Sequence, residues 1–310
     1  MNNSKPSSMV IKLVVLVAIV SVSVSGIIIR LSEVHYIALA VYRMLITVII
    51  MLPKIIFDKQ SNEAPKKLAS TKEKVNIVLL SIASGLMLTF HFSFWYQSLH
   101  LTTISNATIL ANTHPLFILI LGFLFLKEKV DSKSIKWMIL AVAGTACITL
   151  FSSELVTTES SSKGNLYALF AAIFFSGYLL IGRYVRQRVT MTRYTFVVYL
   201  VSFISFLVYA LLTSVPLGPF PIREYGIFLA LAIFPTLLGH SLFNWSLKYL
   251  KMAYVSTAML LEPLFATILA LFIFKEIPSI STLVFGPVII FSIYRFSTLN
   301  DETHLTDVDL

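Results

Sequence analysis

The sequence predicts an all-α integral membrane protein of ten transmembrane helices, arranged as two inverted five-helix repeats. Three observations carry that prediction. The chain of 310 residues is 57% hydrophobic and only 13% charged, with a mean hydropathy of +0.86. Soluble domains run to about a quarter charged, so this chain lacks the polar atoms to cover a water-facing surface. Its basic residues crowd into alternate gaps between apolar runs, and one motif recurs after a fixed interval. The composition excludes a cytosolic globule, a disordered chain and a disulfide scaffold. The lone cysteine, Cys147, lies in an apolar run and reads as a small buried hydrophobe.

A hydrocarbon core about 30 Å thick requires roughly 20 apolar residues per helix. Apolar runs between charged or Gly/Pro/Ser-rich breaks then give spans at 10–29, 34–53, 76–98, 104–126, 134–152, 164–183, 192–213, 225–247, 253–274 and 279–296. The first run has no small-x-small cleavage site after Gly26, so it is expected to be a spanning helix and not a removed leader. The sixth and seventh are separated by Arg183, Arg186, Arg188 and Arg193. Four arginines in one span are prohibitive in hydrocarbon, which predicts two helices joined by a basic loop.

Assigning the N-terminus to the inside puts 19 of the 24 Lys and Arg residues at inner ends and four at outer ends, with Arg43 inside a span. Loops enriched in Lys and Arg stay cytoplasmic, so both termini are predicted in the cytoplasm of a multi-pass protein of the cell membrane. The net charge of +9 is therefore a topology signal. It forms no single face or stripe of the kind nucleic acid would require, and no nucleic-acid partner is expected. Residues 297–310, with Asp301, Glu302, Asp307 and Asp309, form an acidic cytoplasmic tail without apolar period.

Pro115-Leu116-Phe117 precedes Pro263-Leu264-Phe265 by 148 residues, and Lys127-Glu128 precedes Lys275-Glu276 by the same 148. The offset also aligns Ser93 with Ser241 and Ser98 with Ser246. It divides the chain into a first repeat at 1–153, an external linker at 154–163 and a second repeat at 164–296. Five helices is an odd number, so the second repeat enters the membrane with opposite orientation. Inverted repeats of this kind are a construction of secondary transporters, with the site near the midplane.

These motifs resemble the ends of the two EamA repeats of the drug/metabolite transporter superfamily. Tyr42-Arg43 resembles the same family's second helix, and Gly239-His240-Ser241-Leu242-Phe243-Asn244-Trp245 is similar to helix 8 of one branch of EamA permeases. The resemblance covers residues 10–296. It implies ten helices, inverted repeats, a central cavity and the movement of small polar metabolites. It implies no particular substrate, since the superfamily spans amino acids, sugars, nucleotide conjugates and drugs. One departure is plain: Glu128 and Glu276 follow Lys127 and Lys275, where the family carries glycine.

Depth then selects candidate residues. His114 and Glu262 occupy the same position in the two repeats, each before a proline (Pro115, Pro263) and each near its span's midpoint. A carboxylate at that depth costs about 2.5–3.5 kcal/mol on insertion scales, so Glu262 must be protonated, paired or solvated. It reads either as a proton-coupling or substrate-amine group, or as a hydrogen-bonded strut beside Pro263. His114 reads as a substrate ligand or as a packed histidine. Arg43 cannot lose its charge, and reads as a structural anchor, a partner of Glu262 or a ligand for a substrate anion. The i,i+4 pairs His91–Trp95, Thr108–Asn112 and His240–Asn244 each share a helical face and could line a cavity. Tyr96 fits an interfacial belt, and Ser21 and Ser25 beside Gly26 fit close helix packing.

The sequence carries no H-E-x-x-H, no G-x-S-x-G, no P-loop and no Cys/His metal spacing. The expectation is accordingly a non-enzymatic transporter, without cofactor or metal, that moves a small organic metabolite or drug by alternating access. Its partners would be that substrate and the bilayer, with proton coupling and a homodimer both left open. The alternative is an integral membrane enzyme acting on a lipid or isoprenoid, which would cluster its polar groups at one interface.

Overall fold

The computed structural model describes residues 6–57, 70–101, 110–128, 130–152, 162–274 and 280–301. Every element among them is helical. In chain order they are α1 (Ser8–Ser23), α2 (Ser25–Arg30), α3 (Tyr36–Phe57), α4 (Thr71–Leu101), α5 (His114–Leu126), α6 (Ser132–Ser152), α7 (Ser162–Arg186), α8 (Met191–Leu212) and α9 (Ile222–Leu231). A π-helix (Ala232–His240) follows, then α10 (Ser241–Ser246), α11 (Met252–Met259), α12 (Glu262–Phe274) and α13 (Ile280–Asp301). Among the described residues, eight stretches are long and apolar enough to cross a bilayer, and α5 is apolar but shorter. The expected spans at 104–126 and 134–152 are not among the eight; residues 102–109 of the former lie outside the described set.

The chain forms two compact units, and each draws on both halves of the sequence. The first comprises Met1–Thr89 and Ile181–Lys248, the second Phe90–Leu180 and Tyr249–Leu310, so α4 and α7 each contribute to both. In the first unit α1 packs along the π-helix and α10, and α3 along α8. The expected tight packing at Gly26 is absent, because a Cβ there would meet nothing within 4 Å. The close approach on that helix is made by Val22, whose Cγ1 stands 2.5 Å from where a Cβ on Gly239 would lie. A small residue there brings the two helices into backbone range. In the second unit α13 lies against α6, and α11 packs on α5 and α13 around Met138, Ala253 and Phe296.

Two expected spans are broken. The segment expected as one helix over 104–126 turns at Asn112–Thr113 and restarts at His114; the segment over 253–274 turns at Leu260–Leu261 and restarts at Glu262. His114 and Glu262 therefore do not sit mid-helix. Each is the first residue of a 13-residue helix with proline second, a position where proline's missing N–H costs nothing. The basic loop also differs from expectation. α7 continues through Arg183 to Arg186, and both side chains are buried.

Candidate functional site

In the first unit the polar centre is organised by Pro235. Its ring and missing N–H cannot continue an α-helix, which frees the carbonyl of Leu231 four residues earlier. The helix widens into π-geometry, and the Thr236 hydroxyl donates to Leu231 O at 2.9 Å. Thr236 Oγ1 in turn accepts from Arg43 Nε at 2.7 Å, which answers where the buried Arg43 guanidinium goes. Tyr199 completes the cluster. Its hydroxyl donates to Thr236 O at 3.3 Å and lies 3.0 Å from Ser241 Oγ, which itself donates to Thr236 O at 3.3 Å. Such wide turns inside helices frequently mark functional sites. Sequence reasoning finds Arg43 but misses Tyr199, Thr236 and Ser241. Pro235 inside an apolar run is the one available signal.

His240 ends the π-helix, and Asn244 sits one turn on. The pair does share a face: Asn244 Nδ2 donates to His240 O at 2.8 Å, and both residues are buried. Asn244 is also packed onto α7, where a Cβ on Gly182 would stand 2.8 Å from its Oδ1 and 3.1 Å from the Tyr194 hydroxyl. The end of α10 is closed by the arginines of α7. Arg183 donates to Leu247 O at 2.6 Å, Arg186 Nε to Asn244 O at 3.0 Å, and Arg186 also reaches Val189 O. Cations over terminal carbonyls match the negative end of the helix dipole. This is why two arginines expected in a loop are buried instead.

In the second unit the two restarted helices are built alike. Thr113 N–H donates to Leu110 O at 3.2 Å, and Leu261 N–H to Ala258 O at 3.1 Å. Leu116 N–H donates to Thr113 O at 2.9 Å, and Leu264 N–H to Leu261 O at 3.1 Å. The two turns are related by the same 148-residue offset as the sequence motif. His114 is buried, with Nδ1 3.2 Å from Ala111 O and its ring edge-on to Phe175 at 5.1 Å. Ser176 donates to the His114 carbonyl at 3.2 Å. The His114 Nε2 is buried and makes no hydrogen bond of normal geometry among the described residues, with the backbone of Ser256 as the ring's second polar neighbour. Glu262 is partly buried at the positive end of α12.

The other expected residues divide. His91 Nδ1 lies 2.9 Å from Ala171 O, and its ring stands 4.8 Å from that of Phe175, so His91 and His114 flank the same phenyl ring. Trp95 and Asn112 are partly buried in this unit, whereas Tyr96 is buried against Phe92. Thr108 and Glu276 lie outside the described residues. Glu128 Oε2 accepts from Met252 N–H at 3.2 Å and so caps the start of α11. Lys127, just before it, has φ +53°, the left-handed conformation that glycine adopts freely. Among the described residues no group of three His, Cys, Asp or Glu side chains could hold a metal ion.

The sequence pattern of the EamA-like transporter family matches residues 9–150 and 162–298. An uncharacterized transporter, YxxF of Bacillus subtilis (strain 168), is 27% identical over 62% of this chain and 61% of its own length. The chain thus spans about three fifths of that relative. The S-adenosylmethionine uptake transporter of Rickettsia felis is 24% identical over 88% of each chain. A crystal structure of a protein 16% identical in sequence superposes with a TM-score of 0.76, covering 94% of this chain and 99% of the other. That likeness shows a shared fold.

Proposed function

Because the chain belongs to the EamA-like transporter family of the drug/metabolite transporter superfamily, we propose that it is a secondary transporter. It moves a small organic metabolite or drug by alternating access around a midplane cavity. The reading includes ten transmembrane helices in two inverted repeats, with both termini cytoplasmic. The observation that carries it is the pair of restarted helices. His114–Leu126 and Glu262–Phe274 have equal length, a proline at the second position and matching turn hydrogen bonds 148 residues apart. Broken helices at corresponding points of two repeats are how transporters aim helix ends at a solute within the bilayer. The positive end of a helix favours anions. Glu262 places its own carboxylate at such an end, and His114 brings a buried ring nitrogen with an open hydrogen-bonding position to the other.

These features favour a polar substrate that carries both a hydrogen-bonding group for His114 and a cationic or protonatable group for Glu262. His91 and Phe175 supply an aromatic flank. S-adenosylmethionine, the solute named for the Rickettsia relative, has this chemistry and is the first solute to test. Amino acids, purines and organic cations follow. The test is uptake and counterflow in proteoliposomes across that panel, with and without a pH gradient. Saturable counterflow lost in His114→Ala supports the reading. Linear, unsaturable flux, or turnover in detergent without any gradient, sinks it. In Glu262→Gln, transport that keeps its full dependence on the pH gradient removes Glu262 as a proton-coupling site while leaving the transporter reading intact.

A further inference from the structure

Three donors meet at one end of the α6–α13 pair without an acceptor among them. Trp137 lies in the second turn of α6 and Arg295 near the end of α13. The Arg295 guanidinium stands over the Trp137 ring, 5.6 Å from its centre, and Lys136 Nζ stands 5.2 Å from the same centre. Neither cationic group makes a hydrogen bond or ion pair with a described residue. The indole N–H is buried and has no acceptor among the described residues. The two acidic residues just before α6 face elsewhere, Glu128 on Met252 N–H and Asp131 on Lys133 N–H. Two cations held beside one aromatic ring repel each other, and a buried N–H without an acceptor costs about 1–3 kcal/mol. An anion bound there would relieve the repulsion.

The surroundings specify what kind of anion. Phe291, one turn deeper on α13, packs edge-on to Trp137 at 5.5 Å and is itself 52% exposed. Ile139 and Leu140 continue that exposed apolar track along α6. A polar head over Lys136, Trp137 and Arg295 with an apolar body along Phe291 and Leu140 is an amphiphile. We propose that this surface is a binding site for the phosphate headgroup of an anionic phospholipid, whose acyl chain lies along Phe291 and Leu140. Arg295 and Lys136 neutralise the phosphate beside the Trp137 ring that holds them, as basic pockets between transmembrane helices do for acidic lipids. The site shares no residue with the His114 and Glu262 pair and does not depend on the identity of the transported solute.

The experiment is a thermal-unfolding titration of the full-length protein in mixed micelles. Its arms are phosphatidylglycerol, phosphatidylcholine, and inorganic phosphate at millimolar concentration. A ligand that binds only the folded state raises its melting temperature by mass action. Phosphatidylglycerol should raise it by about 4 °C or more, and the other two arms by less than about 1 °C. The double variant Lys136→Gln/Arg295→Gln should lose at least half of the shift, and Arg223→Gln, a cation of the first unit, should keep all of it. Trp137→Leu removes the ring that holds both cations over one spot and keeps their charges. It should lower the apparent affinity for phosphatidylglycerol, and it decides the matter if the double variant does not fold. A shift that persists in both variants overturns the proposal, as does an equal response to phosphatidylcholine. A shift reproduced by inorganic phosphate alone overturns the lipid assignment.

Discussion

Two buried polar centres, one in each compact unit, are matched to different degrees. In the first, Arg43, Thr236, Tyr199 and Ser241 exchange hydrogen bonds around the freed carbonyls of the π-helix, and the arginines of α7 close the end of α10. In the second, His114 brings a buried ring nitrogen to a helix start and leaves it open. Buried polar groups that are matched hold a structure in one arrangement, and buried groups left unmatched need an explanation. On the function proposed above, the cluster around Thr236 is scaffolding and His114 is the group offered to a ligand.

Substitutions can break that contrast, and they rank by expected effect on stability. Arg43→Gln removes a charged donor from a buried partner, and hydrogen bonds to charged groups are worth about 1.5–3 kcal/mol. Thermal unfolding should show a loss of that size, with transport falling only as folded protein falls. Gly182→Ala drives a Cβ to 2.8 Å from Asn244 Oδ1 and should cost about 1–3 kcal/mol by overpacking. A melting temperature unchanged from that of the parent protein would mean that α7 and α10 are free to separate. Glu128→Ala uncaps α11 and should cost about 1 kcal/mol, most of which Glu128→Gln should restore because an oxygen acceptor remains. Lys127→Gly relieves a left-handed residue and should stabilise by about 1 kcal/mol.

The smallest effect on stability is the sharpest test. His114→Phe keeps an aromatic ring beside Phe175 and gives up one hydrogen bond, to Ala111 O, which should leave folding stability within about 1 kcal/mol of the parent. Solute flux in proteoliposomes should nevertheless be lost. If the variant instead unfolds as readily as Arg43→Gln, His114 is scaffolding and the two centres do not differ in kind.

Much of the fold is legible in the sequence, for identifiable reasons. Apolar run length finds the long helices, because hydrocarbon thickness sets that length directly. The 148-residue offset leads to His114 and Glu262 as an equivalent pair. It does not reveal that each one starts a helix, since Thr113 and Leu261 carry no breaker signal beyond the prolines that follow. The missing glycine before Glu128 reads in sequence as a change of charge, whereas its physical content is backbone conformation at Lys127. The arginines of α7 are expected outside the helix because hydrocarbon forbids bare charge. Helix-end carbonyls, which sequence does not display, make their burial tolerable. Tyr199 meets Thr236 only through tertiary structure, and Ser241 reaches the carbonyl five residues back only because the helix is widened there, which no local pattern announces.

The interleaving of the two units has a consequence for biosynthesis. No compact unit is contained in the first 153 residues, because one closes only with Ile181–Lys248 and the other only with Tyr249–Leu310. The early helices must therefore wait in the membrane as separate spans until the late ones leave the ribosome. The start of α11, for example, is capped by a glutamate synthesised 124 residues before it. A truncated chain ending between the halves presents those waiting helices to the quality-control proteases with neither unit complete. Two halves produced as separate polypeptides can finish both units only by finding each other within the bilayer.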